Sequence, residues 1–336
     1  MNTPTVSVII PNYNYAKTLD LCLAAVNGQD YPAIEVIVID DNSTDNSVEI
    51  ARSRGARVLR TGTNIGAPAA RNLGAEVATG EILFFLDSDV ALRPDAVTNA
   101  VRLMLTEPNI GAVCGTYTPK PLVRDSLVEE YRSLQLYSWW IGDLGDTSTV
   151  FTAIFAIKAS VFAEVGGFNP ALRHSENADY GHRLTQRYRI LLTDEVVGAH
   201  DHDDRFGVLL NKFFHRARLH VPLFLNRPDF SGGPTNGSRG WGSIAALGAV
   251  LAMVLPFVLG AAWTLVPVAL FAAFVAADIP MYREVRKHVS PWFLVYYTAV
   301  HFVVNVTVGL AVGAGLFQCL FSRDFRTTYS LSMQGA

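Results

Sequence analysis

Short apolar runs at residues 6–10, 35–39, 57–60 and 82–86 are separated by stretches in which hydrophobic positions recur every three or four residues. The runs are rich in Val, Ile, Leu and Phe and predict β-strands. The intervening stretches 16–26, 45–54 and 68–78 predict helices, with Asp45 placed before the second and Pro68 suited to the first turn of the third. Strand alternating with helix implies right-handed crossovers and a parallel sheet. Such sheets bind ligands beyond the carboxyl ends of their strands, so chemistry is to be sought just after each run. Further along, residues 149–157 and 190–197 predict strands and 176–188 a helix, with a loop punctuated by Gly166-Gly167 and Asn169-Pro170.

The pattern changes after residue 205. Residues 206–224 place Phe206, Leu209, Leu210, Phe213 and Phe214 on one helical face, with Lys212, His215, Arg216 and Arg218 mostly elsewhere. That suits an interfacial amphipathic helix or a helix packed on the soluble domain. The run 241–277 has no charged residue; its roughly 37 positions would make a helix of about 55 Å, against a hydrocarbon core of about 30 Å. A hairpin bent near residues 256–262 fits better. The next uncharged run, 290–322, reads as one tilted helix or a helix broken in its glycine-rich part. Within it Gly309 and Gly313 suit close helix packing, and His301 and Asn305 stand one turn apart. Arg283, Arg286 and Lys287 between the runs mark a cytoplasmic loop, and the charge pattern is compatible with three or four crossings. The expected domains are residues 1–228, with 206–225 as the amphipathic helix, a transmembrane domain of three or four helical segments at 240–322, and a tail at 323–336.

Composition sharpens this picture. Half of the 336 residues are hydrophobic and 17% are charged, an excess concentrated in the last third. The net charge of -3 argues against nucleic acid as a partner. Cys22, Cys114 and Cys319 are far apart and odd in number, which favours a reducing compartment. The opening residues lack a basic segment and lead into a run that reads as a strand rather than a secretion signal. The expectation is a multi-pass cell-membrane protein whose soluble domain is cytoplasmic.

Three strand ends carry polar clusters: Pro11-Asn12-Tyr13-Asn14, Asp40-Asp41-Asn42-Ser43 and Asp87-Ser88-Asp89. A nucleotide base needs a flat apolar slot and an acceptor for its ring N–H; Tyr13 with Pro11 can line the slot, and Asp41 can accept the bond. Alone, the second cluster is a polar turn capping the next helix, but the motifs in order are far more specific than any one of them. Together they resemble the inverting glycosyltransferases of family 2, which share the GT-A fold. Residues 6–14 resemble the family's opening strand, 38–45 its second, and Asn64-Ile65-Gly66 with Ala70-Arg71-Asn72 the helix before the metal motif. The resemblance covers roughly the first 225 residues.

That resemblance implies a fold and an activity. The fold is α/β: a GT-A nucleotide-sugar-binding domain with a mainly parallel sheet, followed by an all-α transmembrane domain. The activity is inverting, metal-dependent transfer of a sugar, from a UDP-sugar by preference; the apolar runs of the last third add the expectation of a lipid-linked or membrane-proximal glycan acceptor at the bilayer. Arg71 would face the base or the diphosphate, and Asp87 would serve both nucleotide and metal. Asp87 and Asp89, fixed by the apolar strand before them, suit a Mn2+ or Mg2+ ion that neutralises the diphosphate leaving group. The resemblance adds a metal-binding His, with His200 favoured over His202 because it follows directly on residues 196–199.

One position departs from the family. The usual Glu-Asp pair, whose Asp is the general base, stands here as Glu176-Asn177, six residues before Arg183. An amide cannot take up a proton. Glu176 can serve instead, Asp179 can reach in from one turn away, or the acceptor is an already ionised lipid phosphate that needs no base. A catalytically silent sugar-nucleotide-binding module is the rival reading. Trp139-Trp140 falls where an acceptor loop is expected, and it suits either sugar stacking or interfacial anchoring.

Overall fold

The structure is a computed structural model that describes residues 3–107, 109–172, 176–226 and 237–327. The expected boundary at residue 228 and most of the expected tail lie outside the described residues. The chain forms two compact units, Met1–Arg124 with Asp143–His202, and Asp125–Gly142 with Asp203–Ala336.

In chain order the elements begin with β1 (Val6–Asn12), α1 (Ala16–Asn27), β2 (Ile34–Asp40), α2 (Ser47–Ser53), β3 (Arg57–Arg60), α3 (Ala67–Val77) and β4 (Ile82–Leu86). They continue with β5 (Val90–Leu92), α4 (Ala96–Thr106), β6 (Ile110–Tyr117), α5 (Leu127–Gly142), β7 (Gly145–Thr147), β8 (Ile154–Lys158), α6 (Ala159–Val165), α7 (Glu176–Thr185) and β9 (Arg189–His200). The helical remainder is α8 (Phe206–Asn226), α9 (Gly237–Ala252), α10 (Leu255–Leu259), a 3-10 turn (Ala261–Thr264), α11 (Leu265–Ala277), α12 (Ile279–Val285), α13 (Pro291–Phe321) and α14 (Arg323–Thr327).

The first unit is a mixed sheet of order β3-β2-β1-β4-β8-β6-β9-β5, with β7 added on β9. Its first four strands in that order are mutually parallel, as the alternating pattern predicts. β1 lies between β2 and β4 and is buried at every position, which is why it reads as a mainly apolar run, Val6–Ile10 broken only by Ser7. The register sets Asn12 beside Asp40 and Ile9 beside Phe85, so the three polar clusters meet at one edge. α3 lies directly on this sheet: a Cβ on Gly74 would fall 2.3 Å from Ile9 Cγ2, and Ala70 packs with Ile37 and Ile39. An aromatic cluster of Phe85, Phe155, Phe162, Phe168 and Tyr180 joins β4 and β8 to α6 and α7.

Several sequence expectations are corrected. The strand expected at 149–157 begins only at Ile154, because residues 149–153 form the turn that meets α7. The helix expected at 176–188 ends at Thr185, and the strand expected at 190–197 runs from Arg189 through His200. Trp139 and Trp140 are not in a loop: both are buried near the end of α5, where helical spacing turns them inward.

In the second unit, α9 and α11 run antiparallel, with Gly242 opposite Ala277 and Gly248 opposite Leu270, and the chain reverses through α10 and the 3-10 turn. α13 is unbroken over 31 residues. Gly309 faces Leu247 and Ser243 closely enough that a Cβ would meet them at 3.0 and 3.1 Å, whereas Gly313 faces open space and takes no part in close packing. His301 is buried: Nδ1 lies 3.0 Å from Tyr131 Oη, and Nε2 lies 3.3 Å from Asp278 Oδ2 and 3.2 Å from Asn305 Nδ2. Among the described residues only α13 is by itself long and apolar enough to cross a membrane; residues 261–277 and 279–285 together also pass but are bent by 67°.

Candidate active site

The first two polar clusters interlock. Asn12 Nδ2 donates to Asp40 Oδ1 and to Ser43 Oγ at 3.3 and 3.2 Å, while Asn14 N donates to Ser43 Oγ at 2.9 Å and Thr44 N to Asn14 Oδ1 at 2.8 Å. Asn14 and Asn42 have φ of 59° and 66°, a left-handed conformation that Asn tolerates better than most residues. Arg60 Nε closes the turn, 3.3 Å from Asp40 Oδ2. Most of the residues in these motifs are therefore spent on the shape of the turns.

Two residues are not. Tyr13 is 46% exposed on the tightly held Asn12–Asn14 turn. Asp41 is buried and accepts from Thr61 Oγ1 at 2.9 Å and from the backbone N–H groups of Ile65 and Gly66, each at 2.8 Å. It anchors the loop that starts α3, a role the motif gave no hint of, and Oδ2 keeps acceptor capacity beyond the Gly66 bond. Pro11 is buried inside β1 opposite Ile39, so its ring does not form an open slot wall.

The third cluster is organised by Arg71 from α3. Its Nη2 donates to Asp87 Oδ1 at 2.7 Å, and Nη1 stands 3.8 Å from Glu176 Oε1. Arg71 is 3% exposed, yet its Nε and Nη1 atoms have no hydrogen-bond partner. A buried guanidinium with unmet donors is suited to an anionic ligand. The structure therefore joins the expected nucleotide residue Arg71, the expected metal residue Asp87 and the expected acid–base residue Glu176 in one charged line.

Asp89 stands just before β5, which pairs Val90 with His200, and Asp201 N donates to Asp89 O at 2.9 Å. This pairing, not the position after a strand, brings His200 Nε2 to 3.6 Å from Asp89 Oδ1. Burial raises the pKa of the Asp89 carboxyl to about 6; His200 opposes the rise, and Asp87 and Asp201 add to it. Asp89 Oδ1 and His200 Nδ1 are both buried without a hydrogen-bond partner. The His200 and His202 rings stack beside them, and Tyr117 meets both edge-on.

Among the described residues no group of three or more His, Cys, Asp or Glu side chains is arranged to hold a metal ion. By donor type, the unpaired Asp89 Oδ1 and the His200 imidazole, beside the Arg71-paired Asp87, are the groups at this edge that suit a divalent cation.

Around α7 the three candidate residues separate. Glu176 faces Arg71. Asn177 accepts from Thr152 Oγ1 at 3.1 Å through its side chain and from Val150 N at 3.4 Å through its carbonyl, so it ties α7 to the turn before β8. Asp179 pairs with Arg183 Nε at 3.1 Å and is not brought to Asp87.

Comparison with known proteins bears on the family and the fold. Residues 7–139 match the family described as Glycosyl transferase family 2. Glycosyltransferase AglE of Haloferax volcanii is 28% identical over 243 residues, spanning 66% of this chain and 75% of that protein. Glycosyltransferase GlyG of Streptococcus pneumoniae is 35% identical over 213 residues, spanning 58% of this chain and 68% of that protein. An uncharacterized glycosyltransferase of Haemophilus influenzae is 39% identical over 110 residues, 31% of this chain, and there the shared stretch spans 44% of the relative's length. Among solved structures, the mannosyltransferase PcManGT of Pyrobaculum calidifontis, in complex with GDP-Man and Mn2+, matches with a TM-score of 0.58 over 96% of this chain and 89% of its own, at 21% identity. At that identity the likeness is one of fold, a GT-A α/β domain followed by helices.

Proposed function

This chain belongs to glycosyl transferase family 2, and from that premise we propose that it is a membrane-bound, metal-dependent enzyme that moves a sugar from a nucleotide-sugar to a lipid-linked or membrane-proximal glycan acceptor with inversion. One observation carries the reading: Arg71, buried with two unmet donors, joins Asp87 to Glu176 beside the unneutralised Asp89. Unmet positive and negative groups side by side suit a diphosphate and its cation.

Tyr13 offers its ring to the base, and Asp41 offers an acceptor to the base's N–H. Arg71 Nε and Nη1 hold diphosphate oxygen. Asp87, Asp89 and His200 would hold a Mn2+ or Mg2+ ion, which would supply positive charge to the leaving diphosphate. The acceptor oxygen forms a bond to the anomeric carbon from the face opposite the diphosphate. The bond from that carbon to the phosphate oxygen breaks, and its electron pair leaves with the nucleoside diphosphate. The acceptor's proton passes to the Glu176 carboxylate. A UDP-sugar is the preferred donor, and the GDP-Man of the Pyrobaculum enzyme makes a GDP-sugar the first alternative to test.

Asn177 favours a second reading, in which the acceptor is a lipid phosphate and no base is needed. Substituting Glu176→Gln separates the two: it stops transfer to a hydroxyl and spares transfer to a phosphate. Membrane attachment rests on the apolar run of α13 and on the exposure of Phe257, Val258, Leu265, Trp292 and Phe321 in the helical unit. The test of the whole reading is a thermal-shift screen of the full-length protein with UDP- and GDP-sugars, with and without Mn2+. A metal-dependent shift that Asp89→Ala abolishes supports it; no shift with any donor overturns it.

A further inference from the structure

Arg71 reaches Glu176, and α7, tied at Asn177 to the turn before β8, is also held by hydrogen bonds that start one residue further along α3. Asn72 Nδ2 donates to Phe168 O at 2.7 Å, and Phe168 N donates to Asn72 Oδ1 at 2.8 Å. A short amide side chain can give and take in this way, whereas a carboxylate or a hydrocarbon cannot. Gly167 permits the approach, since a Cβ there would fall 2.7 Å from Asn72 Oδ1. From the opposite side Arg183, on α7, donates Nη1 to Val165 O and Nη2 to Gly167 O, each at 2.8 Å, while its Nε meets Asp179 Oδ2. The Val165–Phe168 segment thus forms a hydrogen-bonded bridge from α3 to α7. Phe168 pins it into the aromatic cluster, with ring centroids 4.4 Å from Tyr180 and 5.4 Å from Phe85.

We propose that Asn72 is a positioning residue for the transfer reaction: through the backbone of Gly167 and Phe168 and the fork of Arg183 it sets where α7, and with it Glu176, stands against Asp87. Consecutive residues of α3 then do complementary work. Arg71 reaches the reacting groups, and Asn72 fixes the element that carries one of them. The predicted effect on turnover rests on the acid–base reading of Glu176; the predicted effect on α7 does not.

The test compares full-length wild type, Asn72→Ala, Glu176→Gln and the double variant in detergent. Amide exchange of α7 is measured alongside UDP–Mn2+ affinity and turnover of whichever of UDP-glucose, UDP-N-acetylglucosamine or GDP-mannose the wild type consumes. Asn72→Ala is expected to speed exchange across α7 by about tenfold or more and to leave β1 and β4 unchanged. Turnover falls about tenfold with the donor's KM within about twofold, and by less than about twofold in the Glu176→Gln background. Unchanged α7 exchange, or an equal loss of turnover in both backgrounds, overturns the proposal. If Glu176→Gln alone keeps wild-type turnover while Asn72→Ala still loosens α7, the acid–base reading falls and the positional one stands. Gly167→Ala, which presses on the same contact from the loop side, gives the same signature should Asn72→Ala fail to fold.

Discussion

Asp40, a buried carboxylate, and Asp89, a mostly buried one, stand at the same edge of one sheet, and the chain surrounds them in opposite ways. Asp40 receives Asn12 Nδ2 and Ser43 N and has Arg60 Nε 3.3 Å away. Asp89 has an Oδ1 without a hydrogen bond and, beyond His200, mainly other acids for company. Glu35 extends the comparison: burial raises its pKa, but hydrogen bonds from Ser7, Thr79 and Gly80 outweigh that and hold it below the usual carboxylate value, whereas the Asp89 carboxyl is pushed up. Burying a polar group without a partner costs free energy, so a saturated acid reads as scaffold and an unsaturated one as a place kept for a ligand.

The largest expected effect tests the unsaturated side. Asp89→Ala should lower turnover about a thousandfold, about 4 kcal/mol of transition-state stabilisation, while the metal-free protein melts at or above the wild-type temperature. A lower melting temperature would place Asp89 with the scaffold. Asp40→Ala should do the reverse, destabilising the first unit by about 3 kcal/mol in urea titration, because the Ser43 N–H loses its acceptor, Asn12 one of its two and Arg60 its ion pair. Tyr13→Ala should weaken UDP–Mn2+ binding about tenfold, about 1.4 kcal/mol by calorimetry, with stability changed by less than about 0.5 kcal/mol. The smallest effect concerns acid. The stability that Glu35 contributes is fully present above its ordinary value of 4.5 and is lost as pH falls through its lower folded value. Glu35→Gln should therefore flatten the wild-type fall in melting temperature below about pH 4.5 and leave the curve's shape above it unchanged.

The parallel half of the sheet was legible because β1, β4 and the second half of β2 are buried and announce themselves as mainly apolar runs. β5 and β7, three residues each, and the buried β6 carry no such signal, and β5 is the strand that delivers His200 to Asp89. The site motifs were legible as a set, yet the sequence could not divide them by task. Asn12, Asn14, Asp40 and Ser43 bind one another, and Asn177 ties down a turn, because hydrogen bonds between distant segments leave no periodic trace. Unmet donors, as on Arg71, show only when neighbours are known in space. In the helical unit, Gly309 and Gly313 look alike in sequence, but only the former meets another helix.

Four positions of α3 answer to four unlike neighbours: Ala70 to the Ile37 and Ile39 side chains, Arg71 to Asp87, Asn72 to a loop backbone, and Gly74 to Ile9. Because successive helical residues are rotated by about 100°, deleting a single residue between Gly66 and Ala70 would turn all four away from their neighbours at once. That stretch is phase-locked, and the chain can lengthen or shorten there only by rebuilding the centre it serves.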